Sequence, residues 1–307
     1  MNKLVVILGP TASGKTELSI KIAKKFNGEV VSADSRQVYR GMDIGSGKIT
    51  KKEMRGVPHH LLGVANPKRK FTVAQYQKLA SKVIKNIQKR NKLPILVGGT
   101  GFYIQSIVDG IAIPEVKPDW KLRKKLEKLS NRKLFEKLKK LDPTRAGSID
   151  ARNPRRLIRA LEIVLKTSEP VPTLRDSPGT VPRLSPFDLF EFDVLEIGIK
   201  KSREELKKSI HERLIKRLQN NAMINEVKKL RKFLSWKRLE EFGLEYRFVA
   251  QYLQEKITYQ KMIDKIQIES EHFTKRQTTW FKRDKRINWI KNYKEIEKLV
   301  KNFINKK

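Results

Sequence analysis

The chain has 307 residues and no cysteine, and its 69 lysines and arginines against 33 aspartates and glutamates give a formal charge of +36. That length suits one large domain or two modest ones, and the missing thiols exclude a disulfide framework and a cysteine-based zinc site. No apolar run reaches the roughly 20 residues of a membrane span, and the first strand starts too early for a signal peptide, so the expected compartment is the cytoplasm.

Residues 4–8 (LVVIL) form an apolar run that predicts a buried parallel strand. The segment ILGPTASGKTEL, residues 7–18, then carries G-x-x-x-x-G-K-[ST] as Gly9, Gly14, Lys15 and Thr16. A helical pattern with Leu18, Ile22 and Ala23 inward completes the strand–loop–helix context in which this motif binds phosphate. The loop of Gly9, Pro10, Thr11, Ala12, Ser13, Gly14, Lys15 and Thr16 would wrap an anion. Its glycines permit close approach, and the helix N-terminus adds partial positive charge. Lys15 would pair with phosphate oxygens and Thr16 would ligate Mg2+. Such a loop reads a phosphate chain and no base, so ATP, GTP and other pyrophosphates all suit it.

Residues 29–32 predict a second strand. Asp34 follows its carboxyl end, where α/β proteins bind ligands. It suits a water-mediated Mg2+ contact, a general base or a turn cap. Ser35 and Gln37 beside it offer donors and acceptors to a nucleobase edge. His59 and His60 are adjacent, so on a regular element they face opposite ways. Without cysteine or H-E-x-x-H they argue for positioning or packing, not zinc. Residues 73–88 read as a helix. Residues 93–97 read as a third strand that runs into Gly98, Gly99 and Thr100, a tight turn that would bring the Thr100 hydroxyl to the same ligand edge.

Residues 120–165 read as helices, with apolar stripes at Leu122, Leu126 and Leu129 and at Leu134, Leu138 and Leu141. Arg152, Arg156 and Arg159 share one spacing and Leu157, Leu161 and Val164 another, so one face would present guanidinium groups to phosphates and bases. Pro170, Pro172, Pro178, Pro182 and Pro186 mark residues 167–186 as a loop or linker. Residues 194–199 predict a fourth strand, and helical periodicity dominates the remainder. Near the end, FTKRQTTWFKRDKRINWI joins Lys275, Arg276, Lys282, Arg283, Lys285 and Arg286 with Phe273, Trp280, Phe281 and Trp289. That mixture suits single-stranded nucleic acid, in which bases stack and phosphates pair. A core role for Trp280 is compatible with it. The charge as a whole favours a polyanionic partner, nucleic acid first and an anionic membrane second.

The expected fold is therefore α/β: a P-loop core with a mostly parallel sheet flanked by helices, plus a helical insertion domain. The expected boundaries are 1–116 for the first part of the core, 117–186 for the insertion and Pro-rich linker, and 187–307 for the return to the core and the C-terminal helices.

The motifs GPTASGKT, SADSRQVY, GMDIG, VPHHL, GGTGFY, RALE and KRQTTWF occur in one order along most of the chain. Together they resemble the tRNA dimethylallyltransferase family. The resemblance implies transfer of a dimethylallyl group from dimethylallyl diphosphate to N6 of the adenosine on the 3′ side of the anticodon, in tRNAs reading codons that begin with U. It implies Mg2+ as cofactor, the tRNA anticodon stem-loop as partner, no membrane and a monomer.

On this resemblance Asp34, Thr100 and Lys15 are the catalytic set, and the loop from Gly9 to Thr16 holds a diphosphate, with Thr16 on the metal. The tRNA contacts would begin with Asp34, Ser35, Arg36, Gln37, Thr100 and Arg123. They would continue through Arg155, Arg156, Leu157, Ile158 and Arg159. A third stretch would be Gly243, Leu244, Glu245, Tyr246, Arg247 and Phe248. The last would be Lys275, Arg276, Gln277, Thr278, Thr279, Trp280, Phe281 and Lys282. Where the family often carries G-Y-[KR]-[EQ] this chain has Glu245, Tyr246, Arg247 and Phe248, so it departs at Glu245 and Phe248, and it has Gly63 in place of the usual aspartate.

The rival enzyme is an ATP-dependent P-loop kinase of a small molecule or nucleotide, which leaves the charge and the KRQTTWF helix unexplained. A non-catalytic RNA-binding protein leaves Lys15, Thr16 and Asp34 unexplained. A prenyltransferase acting on free nucleotide is disfavoured by the basic helical insertion.

Overall fold

The computed structural model describes residues 2–111, 113–114, 116–171 and 193–306. One sheet organises the first of two units. Its strands are β1 (Lys3–Leu8), β2 (Gly28–Ala33), β3 (His59–His60), β4 (Leu93–Gly98), β5 (Asp193–Ile199) and β6 (Asn288–Ile290), in spatial order β3-β2-β4-β1-β5-β6. Every neighbouring pair is parallel. The four strands legible in the sequence are the four long ones. The two edge strands have two and three residues, too few to show a period.

β1 lies between β4 and β5, with Val5 opposite Ile95 on one side and Leu195 on the other. Its apolar run is continuous because both faces are covered. Leu4, Val6 and Leu8 join a core with Tyr76, Ala80 and Ile84 of the helix Val73–Lys89. Val5 and Ile7 join another core with Leu18, Ile22 and Ala23 of the helix Lys15–Lys25 and with Ile296 and Val300 of the helix Tyr293–Asn305. The alternation is the two-residue period of a strand read on both faces. On the first face the helices Arg203–Leu218, Ala222–Arg231, Leu244–Leu253 and Tyr259–Phe281 add a further layer through Leu214, Val227, Val249 and Ile266. The helix Val73–Lys89 starts where a Thr72–Gln75 capping box satisfies its first amides.

Buried Glu29 of β2 accepts from Arg90 Nη1 at 2.5 Å and from Lys92 Nζ at 2.9 Å, and it meets His60 Nε2 at 2.8 Å. The Arg90 guanidinium, ahead of Lys92 and His60, holds that carboxyl at about 2 against the opposing effect of burial.

The chain divides into a unit of residues 1–108 with 190–307 and a unit of residues 109–189. The second unit is helical: Trp120–Leu126, Asn131–Leu141, Pro143–Ser148 and Pro154–Thr167. Its core gathers Leu126, Leu134, Leu138, Leu157, Leu161 and Val164, with Leu122 and Leu129 packed at its margin. Leu141 is a correction: it ends its helix exposed, beside the Asp142 cap that starts the next. The Pro-rich segment from residue 172 to 186 lies outside the described residues.

Inside this unit a fully buried Glu162 binds three partners. Arg123 donates through Nε at 2.8 Å and Nη2 at 2.6 Å, Arg159 Nη1 donates at 2.5 Å and the Asp119 amide at 2.6 Å. Burial would raise this carboxyl, but these donors outweigh it and hold it at about 2. No helix among the described residues is long and apolar enough to cross a membrane.

Candidate active site

The phosphate loop connects β1 to the helix Lys15–Lys25. It turns into that helix through Gly14, whose φ of +95° lies in the left-handed region that strains other residues. β2 ends at Ala33, so Asp34 follows at the same carboxyl edge of the sheet, and β4 delivers Gly99 and Thr100 beside it. An open cleft forms there, lined by Thr11, Lys15, Thr16, Asp34, Gln37 and Gln277 among others.

Each group has a defined support. Asp34 Oδ1 accepts from the amides of Arg36 at 2.8 Å and Gln37 at 3.2 Å, which fixes the carboxyl in a tight turn and leaves its other oxygen outside that turn. Thr100 is not among the lining residues. Its hydroxyl oxygen accepts from the Ser35 amide at 3.0 Å, so it holds the turn that carries Asp34. Lys15 Nζ donates to the Pro10 carbonyl at 2.5 Å, across the loop it will serve. Burial, and then the charge of Arg213, push the Lys15 ammonium down from 10.5 to about 7, with Asp34 opposing. Two cations brought together in a cleft, one of them desolvated, suit the binding of an anion.

Arg213 was not singled out from the sequence. It projects into the cleft from the helix Arg203–Leu218, and burial followed by the nearby Arg217 lowers it to about 10. The available signal was faint: Arg213 shares the inward stripe of Leu206, Ile210, Leu214 and Leu218. His59 also lines the cleft. Its Nδ1 lies 2.9 Å from the Val57 carbonyl, so Nδ1 carries the proton, and its buried Nε2 has no hydrogen-bond partner among the described residues. His60 points the other way to Glu29, as adjacent strand residues must.

Several residues expected to touch RNA have other duties. Gln277 is buried. Its Oε1 accepts from the Thr11 amide at 2.8 Å and its Nε2 donates to the Gly99 carbonyl at 2.8 Å, so it ties the phosphate loop to the β4 turn. Phe281 is core, Trp280 packs against Gly101, and Trp289 packs against Gly198. Phe273 lines the cleft. The basic residues of this segment, Lys275, Arg276, Lys282, Arg283 and Lys285, are exposed together with Thr279, while Thr278 is half-buried. Arg286 is exposed too, but it is paired with Asp284 and Glu196.

Tyr246 and Phe248 are buried, and Glu245 is paired with Arg217, which leaves Arg247 as the exposed side chain of that turn. Gly243 caps the helix Leu244–Leu253 with φ +75°. Gly63, where the family usually has aspartate, sits at φ +62°, and its amide donates to the Gln37 carbonyl at 2.9 Å.

In the helical unit Arg155 and Arg156 are exposed, but Leu157 and Ile158 face the unit's own core. Arg152 lies before the helix, which starts at Pro154, and Arg159 and Arg123 are engaged by Glu162. Of the guanidinium face read from spacing, only Arg156 stays exposed on the helix, beside Arg155, which the family resemblance adds.

Residues 37–284 match the family model described as IPP transferase. A tRNA dimethylallyltransferase of Thermoanaerobacter sp. (strain X514) is 40% identical over 309 residues, covering 98% of this chain and 96% of that protein. Another, from Halalkalibacterium halodurans, is 39% identical over 294 residues, with 94% and 90% covered. Among solved structures, the full-length tRNA isopentenylpyrophosphate transferase from Bacillus halodurans gives a TM-score of 0.71 at 36% identity, covering 99% of this chain and 96% of that one. A eukaryotic dimethylallyltransferase acting on tRNA gives 0.75 at 27% identity, covering 91% and 70%.

Proposed function

Since the chain belongs to the IPP transferase family, we propose that it transfers a dimethylallyl group from dimethylallyl diphosphate to N6 of the adenosine 3′-adjacent to the anticodon, in tRNAs reading codons that begin with U. The observation that carries this reading is the meeting of a cationic phosphate loop and a carboxylate in one cleft. Lys15 and Arg213 line that cleft with Asp34, where an anion would meet both cations.

The acceptor base must leave its stack to reach such a cleft. As the donor's C–O bond breaks, its electron pair goes to the diphosphate, and the loop amides, Lys15 and Arg213 stabilise the growing charge. The N6 lone pair forms the new C–N bond, and the proton that N6 sheds passes to Asp34. Thr100 and the Arg36 and Gln37 amides hold that carboxyl in place. The products are prenylated adenosine, diphosphate and one proton.

Mg2+ fits the donor set present. No group of three or more histidine or acidic side chains among the described residues forms a cage, and Thr16 and Asp34 offer hard oxygens beside the place where diphosphate oxygens would complete a shell. Bound there, it would neutralise charge on the leaving diphosphate. The exposed bases of the 275–285 segment, with Arg155 and Arg156, supply the contacts to the anticodon stem-loop. The protein works as a cytoplasmic monomer. The deciding experiment incubates it with Mg2+, dimethylallyl diphosphate and unmodified tRNA, followed by nucleoside mass analysis. Turnover of a nucleoside triphosphate with no prenylated adenosine would replace this reading with the kinase.

A further inference from the structure

We infer that Glu226, together with Tyr246, is a positioning residue for the cleft: it clamps residues 43–46 from behind and so sets the wall that Ser46 and Gly47 present opposite the phosphate loop. This rests on the prenyl-transfer reading for its functional consequence.

Four consecutive backbone amides are held by one buried pair, three by the Glu226 carboxylate and the fourth by the Tyr246 hydroxyl. Glu226 Oε2 accepts from Asp43 and Ile44 at 2.7 Å each, and Oε1 accepts from Gly45 at 3.0 Å. The fourth amide, of Ser46, donates to the Tyr246 hydroxyl oxygen at 3.1 Å, and that hydroxyl in turn donates to Glu226 Oε1 at 2.9 Å. Burial, and then the Glu226 charge, push the Tyr246 phenol well above its ordinary range, so it keeps the proton that this arrangement needs. Successive amides converging on one anion form a nest of the kind that proteins use for phosphates. Here the chain supplies the anion itself, from the helix Ala222–Arg231, about 180 residues away.

The clamp transmits to the cleft. A Cβ on Gly45 would come within 2.8 Å of the Tyr246 ring, so the ring lies flush against the loop. Arg217 Nη1 donates to the Gly45 carbonyl at 3.0 Å and is itself held by Glu245 at 2.8 Å. A Cβ on Gly47 would meet Arg213 Nη2 at 2.8 Å, so the guanidinium that faces the diphosphate site rests on this loop. Gln37, three residues after Asp34, reaches the Gly47 carbonyl at 3.3 Å. Glu245, which departs from the family pattern, and Tyr246, which matches it, are thus parts of one brace. The Gly45 bond is buried and those of Asp43 and Ile44 are partly buried, so removing the anion takes the acceptor from three amides and loosens the loop, because an unsatisfied buried amide costs more than a made bond returns.

The test compares Tyr246→Phe and Glu226→Gln with the parent. Phenylalanine keeps the ring and removes the hydroxyl alone. Glutamine keeps the shape but turns an NH2 toward amides that need an acceptor. Hydrogen exchange of the 43–47 amides reads the clamp without any activity. It should quicken in both variants, more in Glu226→Gln, while amides of β1 and β4 stay protected.

Steady-state kinetics well below the melting temperature read the consequence. We expect kcat/KM for dimethylallyl diphosphate to fall roughly tenfold to a hundredfold, the cost of slightly misplaced groups, with tRNA affinity unchanged. A purely structural role would lower the melting temperature and leave the kinetics of the folded enzyme alone, and that result overturns the inference. So does unchanged exchange at 43–47. Calorimetry with inorganic pyrophosphate keeps the two readings apart: if the parent forms no prenylated adenosine, weaker pyrophosphate binding in the variants still supports the clamp, and equal binding refutes it.

Discussion

Lys15→Met should make the protein more stable at neutral pH and unable to hold its donor. The amine is lowered from 10.5 to about 7 in the folded chain, first by burial and then by Arg213. Each pH unit of such a displacement corresponds to about 1.4 kcal/mol, so a group fully withdrawn from water would cost on the order of 5 kcal/mol of stability at pH 7. The cleft is open to water, which reduces the realised cost to roughly 1–3 kcal/mol. Because the folded value lies below the unfolded one, the unfolded chain binds the extra proton, and parental stability rises with pH from about 7 towards 10.5. Methionine has no such titration.

Urea unfolding of both proteins between pH 6.5 and 9.5 measures the effect. The variant should lead at about pH 7 and lose its lead as the pH climbs. Adding pyrophosphate at pH 7 should reverse the order, since only the parent gains from binding. A variant that is less stable at pH 7, or a difference that does not move with pH, would refute the account of Lys15 as a desolvated cation of the anion site.

Asp34→Asn keeps the turn-forming Oδ1 and cannot take the N6 proton. Single-turnover rates should drop on the order of 10²–10⁴-fold with tRNA binding kept, and rescue by excess Mg2+ would mean that Asp34 serves the metal instead. Titrations of tRNA at increasing salt should show a slope of several units in log K against log salt, which Lys282→Ala and Arg283→Ala each flatten by about one; a flat parental response would reduce the +36 charge to solvation. Glu162, held at about 2 in the fold against 4.5 unfolded, contributes stability that is full above pH 4.5 and vanishes as pH falls towards 2. Glu162→Gln leaves Arg123 and Arg159 facing an amide and should cost on the order of 3 kcal/mol at pH 7. Melting curves should show that gap closing in acid, and a gap independent of pH would count against the ion-pair account.

The sequence alone determined what is encoded within about a dozen residues. The run into β1, the glycines of the phosphate loop, the strand end before Asp34 and the turn before Thr100 each combine a local period with a local breaker. Backbone sterics turn those directly into strand, turn and helix. The parallel sheet followed, because a continuous apolar run has to be buried on both faces. Two further kinds of information needed the tertiary structure. The edge strands exist only because Val30 and Val31 of β2, and Ile197 and Gly198 of β5, present free ladder groups to passing segments of chain.

The division of labour among polar side chains was likewise decided by distant partners. Gln277 looked like part of an RNA face and is a buried tie between Thr11 and Gly99. Tyr246 looked like an RNA contact and closes a nest with Glu226. Arg213 carried no signal that set it apart from the other cations, and only the fold places it in the cleft with Lys15. A side chain's identity gives its donors, acceptors and charge. Which of them remain for a ligand depends on what the fold has already paired with them, and those partners lie up to 266 residues away in the chain.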